Sequence, residues 1–160
     1  MTPEQADLKQ FLIKAAAPID GTFDGDSVLV PMWIVDSGKI DIIATPWQDD
    51  HEKRAAVTFV KAKMRELGAK RYVQIAEVWT LVTPKDKGIP ESIRLGGRIA
   101  NHPDRREAVI AIAEDKQGNC IKMTRYILRP EHEKATLSEP EFDFYQSKAT
   151  DGLMTHLLQD

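Results

Sequence analysis

One acidic and one basic side chain stand out because each interrupts an apolar strand face. In the predicted strand 71–82, Glu77 shares its face with four apolar side chains: Val73, Ile75, Trp79 and Leu81. If Ala108 lies opposite Arg125 in the following hairpin, Arg125 is also the lone charge on an apolar face. Because a buried charge without a partner is costly, we expect a structural Glu77–Arg125 ion pair. The alternatives are a Glu77 carboxylate of perturbed pKa lining a pocket beside Trp79, and simple exposure to solvent.

The densest cluster of reactive groups is the segment 102–107, His102-Pro103-Asp104-Arg105-Arg106-Glu107. Here His102 could shuttle a proton, and Arg105 and Arg106 could clamp an anion. The alternative is a turn flanked by solvated arginines, since Asn101, His102, Pro103 and Asp104 are turn-forming residues.

Metal and cofactor chemistry finds little support in the sequence. The four histidines lack helical metal-binding spacing, and Cys120 is the single cysteine. Asp24-Gly25-Asp26 opens like a calcium loop, but the later ligand positions are absent. The chain also has no phosphate-binding glycine loop and no nucleophile elbow. We therefore expect no metal and no cofactor.

Charge is distributed unevenly, although the net charge is only −3. Residues 53–71 hold seven basic residues, Lys61 and Arg65 among them, against one acidic residue. Residues 131–160 hold seven acidic residues against two lysines. The basic stretch is either a solvated helix face or a docking site for an acidic protein partner or the acidic tail. Nucleic acid is disfavoured because no aromatic side chains alternate with the basic ones.

The elements that must position these residues follow from periodicity and capping. Helices are predicted over 3–16, capped by Thr2, and over 50–67, between Asp49 and Gly68. Strands are predicted at 28–35, 39–46, 71–82, 107–114 and 119–129, and a short helix at 153–158. Because the first two strands are apolar on successive residues, we expect both of their faces to be covered. The order predicts an α+β domain, a five-stranded antiparallel sheet packed with helices, as in profilin-like and roadblock-like domains.

At this length, one domain spanning 1–160 is expected, with its core at about 3–130 and a loosely attached acidic tail at 131–160. Residues 83–106 and 130–148 are predicted to be the most mobile parts. No segment approaches the length of a membrane span, and the acidic N-terminus does not resemble a signal peptide. We therefore expect a cytoplasmic protein.

A sequence resemblance supports the predicted extent of the domain. Glu77-Val78-Trp79, the segment from His102 to Val109 and Ala113-Glu114-Asp115 resemble a family of small uncharacterised proteins of bacteria and their phages. The resemblance covers about residues 28–130, and Val78 departs from the Glu-Ala-Trp pattern associated with the family. It implies the extent of the domain and no activity.

The sequence alone does not determine what the protein does. We expect a non-catalytic binding or assembly module rather than an enzyme, self-associating through a sheet edge or the basic helix, or binding an acidic protein. The alternative is a small enzyme acting on an anionic substrate, with Glu77 as acid or base and Arg105, Arg106 or Arg125 as clamps. A weaker alternative is a nucleic-acid accessory protein.

Overall fold

The computed structural model describes residues 1–81, 102–146 and 157–158. Within them lie the helices α1 (Pro3–Ala16), α2 (Ile19–Thr22) and α3 (Asp50–Leu67). The strands are β1 (Met32–Asp36), β2 (Ile40–Ala44), β3 (Arg71–Thr80), β4 (Arg106–Asp115), β5 (Asn119–Leu128), β6 (Thr136–Leu137) and β7 (Glu141–Gln146). The chain is thus an α+β protein. Residues 153–156 of the predicted helix 153–158 and residues 83–101 of the predicted loop 83–106 lie outside the described residues.

All strands belong to one antiparallel sheet with the order β2-β1-β3-β4-β5. Each of the five predicted strands is present, but the predicted number is too low. Two further strands, β6 and β7, come from the extended stretch 130–148 and pair with the outer side of β5. The likeness of the element order to profilin-like and roadblock-like domains stays a prediction.

The two long helices begin and end where their capping residues predict. The Thr2 hydroxyl accepts a hydrogen bond from the Gln5 amide at 3.1 Å, and the Asp49 carboxylate accepts one from the Glu52 amide at 2.7 Å. Gly68 ends α3 with a φ of 71°, in the left-handed region. Glu52 stands at the third helical position, where a glutamate can close a capping box, but its carboxylate accepts instead from the amide of Gln48. No helix in the described part of the chain is long and apolar enough to cross a bilayer.

Helices cover the sheet on both faces, which gives two apolar cores. On one face, α1 lies over β3, β4 and β5. Its core includes Leu8, Phe11, Leu12, Val73, Ile75, Val109, Ala111, Ile121 and Met123. On the other face, α3 packs against β1 and β3 through Val57, Val60, Met64, Trp33, Val35 and Tyr72. We call these the α1 face and the α3 face.

The register of the β4–β5 hairpin differs from the predicted one by a single residue. Ala108 lies opposite Tyr126, and Val109 lies opposite Arg125. A shift of one residue exchanges the two faces of a strand, so Val109, Ala111 and Ala113, rather than their even-numbered neighbours, face α1. The turn decides this register: Gly118 adopts a φ of 87°, and the Asn119 amide bonds to the Asp115 carboxylate at 2.9 Å.

Candidate functional site

Several of the predicted site residues meet at one end of the sheet, where β3 ends and β4 begins. Trp79 lies opposite Glu107, and Glu77 lies opposite Val109, which in turn lies opposite Arg125. Directly opposed residues of antiparallel strands point to the same face. Glu77, Trp79 and Arg125 therefore share the α1 face, as predicted.

The prediction of a Glu77–Arg125 ion pair was wrong. The Glu77 carboxylate accepts a hydrogen bond from the Leu29 amide at 2.7 Å. Arg125 instead bonds to the Asp20 carboxylate at 2.6 Å and to the Ser138 carbonyl at 2.9 Å. Glu77 and Arg125 are two strand spacings apart, about 10 Å, with fully buried Val109 between them. Nearer partners, supplied by chain segments outside the three strands, satisfy both charges.

A salt bridge that the sequence pattern did not reveal closes this end of the sheet. Glu107 binds Arg129 with both carboxylate oxygens, at 2.5 Å to Nε and 3.2 Å to Nη2. The second guanidinium terminus, Nη1, donates to the Gly25 carbonyl at 2.9 Å. The bond to Glu107 raises the pKa of Arg129 above its ordinary value. The signal in the sequence was the position of these two residues at the open end of one predicted hairpin.

The arginines of the 102–107 segment stack on aromatic rings rather than converging on one point. The Arg105 guanidinium lies 4.7 Å from the Trp79 ring centre, and that of Arg106 lies 3.8 Å from the Tyr126 ring centre. Arg105 also donates to the carbonyl of His102, whose Nδ1 accepts from the Asp104 amide at 3.1 Å. The segment forms a turn that leads into β4, and these contacts are structural ones within that turn and the start of the strand.

The cavity that the described residues form beside Glu77 and Trp79 is small. A cavity of about 150 Å³ is lined by Val28, Glu77, Val78, Trp79 and Glu107. Sites for small-molecule ligands usually enclose about 300–1,000 Å³. The residues that face this cavity include one carboxylate already bonded to a backbone amide and one already bonded to Arg129.

A second candidate surface is the outer edge of β2. Ile40 and Ile42 are 53% and 69% exposed, and Ala44 beside them is exposed too. Ile42 lies opposite Ile34, a member of the α1-face core. The expectation that both faces of β1 and β2 are covered was therefore wrong for β2, because α1 lies over the more distant strands. Within the described chain, β2 pairs with β1 alone.

The basic helix face presents Lys61 half-buried and Arg65 exposed, together with Phe59, which is 58% exposed. At its C-terminal end, Arg65 lines an open cavity of about 380 Å³ that also contacts Leu157 and Leu158. Leu157 is buried in the α3-face core. Leu157 and Leu158 of the acidic tail thus lie beside this helix. An acidic protein partner stays a prediction.

A buried polar row that the sequence pattern did not single out crosses β3, β4 and β5 on the α3 face. Tyr72 lies opposite Glu114, and Glu114 lies opposite Cys120. All three are at most 2% exposed. Burial, followed by the adjacent Glu114 carboxylate, raises the pKa of the Tyr72 phenol well above its ordinary value. In the observed hairpin register, Glu114 shares the α3 face with Ala108, Ile110 and Ile112 of β4 and with Lys122 of β5.

Comparison with known proteins places the chain in a phage-type family. A family model described as bacteriophage lambda protein ea47 matches residues 4–150. No curated protein and no solved structure matches the chain. The match extends beyond the 28–130 stretch on which the resemblance to phage proteins rested, and includes all of α1 after Pro3 and all of β7. The chain belongs to the bacteriophage lambda ea47 family.

Proposed function

We propose that this protein is a non-catalytic binding or assembly module of the cytoplasm, and that the outer edge of β2 is its binding surface. The observation that carries the proposal is an edge strand whose outer side pairs with no other strand in the described part of the chain, combined with the exposed side chains of Ile40 and Ile42. An edge strand offers a row of backbone donors and acceptors, and exposed apolar side chains beside it add burial when another strand pairs there.

The sequence of β2 lacks several of the features that keep an edge from pairing. Ile40–Ala44 contains no proline, glycine or lysine, and Asp41 is its only charged residue. Lys39 lies 3.9 Å from Asp41, so the charges at this edge are balanced. Such an edge can therefore pair with a partner strand whether that strand carries positive or negative charge.

The state of the candidate catalytic groups supports a binding module over the enzyme. Glu77 anchors the Leu29 backbone, His102 shapes a turn, and Arg125 is held between Asp20 and the Ser138 carbonyl. Each of these groups thus has a structural partner, and among the described residues none is paired with a second candidate in an acid–base arrangement.

Selection from a library of random 12-residue peptides tests the proposal and assumes nothing about the identity of the partner. Wild-type protein is the target of the selection, and the enriched peptides are afterwards measured on wild type and on an Ile42→Lys variant. Enriched peptides should alternate apolar and polar residues, as strands do. They should bind Ile42→Lys at least tenfold more weakly than wild type.

An Ile13→Lys variant is the matched control, because Ile13 is an exposed isoleucine on α1, away from the edge. It should bind the selected peptides like wild type. Peptides that bind Ile42→Lys as tightly as wild type would overturn the proposal.

A further inference from the structure

We infer that the strand received by the β2 edge is β2 of a second copy of this chain, which rests on the binding surface proposed above. A strand edge can pair antiparallel with its own copy about a two-fold axis, which makes a closed dimer. The dimer then contains one sheet that continues from β1 and β2 of one copy into β2 and β1 of the other.

The side chains of β2 select the register. A two-fold axis through the middle residue, Ile42, lets all five residues of Ile40–Ala44 pair with their copies. Ile42 then lies opposite Ile42 of the second copy, and Ile40 lies opposite Ala44. The exposed apolar side chains of both copies join in one patch on the α1 face, which removes them from water.

Two shifted registers are weaker. An axis through Asp41 sets the two Asp41 carboxylates directly opposite each other, which is repulsive. An axis through Ile40 pairs Lys39 with Asp41 but places Ile42 opposite Gly38. That glycine has a φ of 98° and lies in the β1–β2 turn, so only about half of the strand pairs.

Strand pairing of this length is a small interface. Five residues from each copy bury much less than the roughly 1,600 Å² of a standard stable complex. The dimer should therefore be weak and concentration-dependent, so sedimentation must be measured across a wide range of protein concentration. The average mass of wild type should rise toward that of a dimer, while Ile42→Lys should stay monomeric and Ile13→Lys should follow wild type.

Single cysteine substitutions identify the register in solution. Opposed residues of paired strands lie close enough for a disulfide. Under mild oxidation, Ile42→Cys should form a covalent dimer within the time in which Ile40→Cys and wild type stay monomeric. The native Cys120 is 2% exposed, so wild type controls for its reactivity. A mixture of Ile40→Cys and Ala44→Cys should cross-link to each other.

Each other outcome overturns a defined part of the inference. Faster cross-linking of Ile40→Cys than of Ile42→Cys refutes the register. If wild type is monomeric at every concentration and no variant cross-links, self-pairing is refuted. The peptide selection then separates the two ideas: edge-dependent peptides leave the binding module standing, and their absence refutes it as well.

Discussion

At the scale of single residues, strand alternation identified the face of a charged side chain but not its partner. Glu77 and Arg125 lie on the α1 face, as the pattern predicts, yet Leu29 and Asp20 satisfy them. Alternation fixes which way a side chain points, and it carries no information on which loop or short helix passes over it. Partner assignment therefore needs the tertiary structure.

Double-mutant cycles test in solution whether Arg125 interacts with Asp20 or with Glu77. We expect Asp20→Asn and Arg125→Met to show a coupling of about 0.5–1 kcal/mol in the free energy of unfolding, because Asp20 is largely exposed. The cycle between Glu77→Gln and Arg125→Met should give less than about 0.3 kcal/mol, as for sites without contact. Urea unfolding of wild type and of the single and double variants provides the values. A larger coupling for Glu77 than for Asp20 would contradict the observed partners.

Tyr72 provides a pH-dependent prediction. Its pKa is raised in the folded state, while an unfolded tyrosine loses its proton near pH 10. The unfolded state therefore releases a proton that the folded state keeps. This contribution to stability is complete below about pH 10 and falls by up to about 1.4 kcal/mol per pH unit above it.

A Tyr72→Phe variant should lack this alkaline loss, although its stability at neutral pH should drop by about 1–3 kcal/mol because the buried Glu114 loses a hydrogen-bond donor. Urea unfolding between pH 8 and 11, at roughly half-unit steps, compares it with wild type. Tyr126→Phe, at a half-buried position, is the control for removal of a tyrosine hydroxyl. Equal slopes for Tyr72→Phe and wild type would count against a protected phenol.

At the scale of elements, the turn between α2 and β1 depends on one glycine. Gly25 has a φ of 80°, and a Cβ there would lie 2.5 Å from the Cβ of Ala135. The Asp24 carboxylate fixes the turn by accepting from the amides of Asp26 and Ser27, and Arg129 bonds to the Gly25 carbonyl. Both backbone conformation and space therefore require glycine at this position.

Three alanine substitutions separate conformation from space. Gly25→Ala should cost about 2–4 kcal/mol, from backbone strain plus overpacking. Gly38→Ala, at a φ of 98° with open space around it, should cost about 1–2 kcal/mol. Gly21→Ala, in α2 with open space, should be neutral or slightly stabilising. Thermal unfolding ranks the three, and adding Ala135→Gly should recover part of the Gly25→Ala loss. An equal cost at Gly25 and Gly38 would exclude the steric component.

Element types were predictable where local chemistry determines them. Thr2, Asp49 and Gly68 mark the ends of α1 and α3, and β-branched and aromatic runs mark β3 and β5. The β4–β5 register was not predictable, because a turn that differs in length by one residue exchanges the faces of a whole strand. The short helix α2 was missed because Pro18 ends α1 and at the same time begins a new helical turn.

The candidate site was predictable only in outline. Glu77, Trp79, Arg105 and Arg106 were selected as pattern-breaking or reactive residues. They lie at the same end of the sheet, but Arg105 stacks on Trp79 while Arg106 stacks on Tyr126 on the other face. The β2 edge was not singled out, because exposure of Ile42 depends on where α1 lies across the sheet, and strand periodicity does not determine that.

At the scale of the whole molecule, the two long edges of the sheet are protected differently. The outer side of β5 is covered by β6 and β7, and Phe142 of β7 packs against the α1-face core. Lys9 of α1 lies 4.5 Å from the Phe142 ring centre, which further ties β7 to the first helix. The β2 edge has no such cover among the described residues. This asymmetry distinguishes a structural edge from the edge proposed for binding.

A chain ending at Pro130 tests how firmly the segment from β6 onward belongs to the fold. Removal of β6 and β7 leaves the outer side of β5 unpaired along residues 119–124 and exposes the core beneath Phe142. We expect a loss of more than about 2 kcal/mol in the free energy of unfolding, together with aggregation through the new edge. Urea unfolding and light scattering measure the two effects. The matched control is the full-length Phe142→Ala variant, which removes packing but keeps the strand pairing. It should be destabilised by less than the shortened chain and should not aggregate. A shortened chain that is as stable and monodisperse as wild type would instead establish residues 131–160 as the loosely attached tail that the sequence predicts.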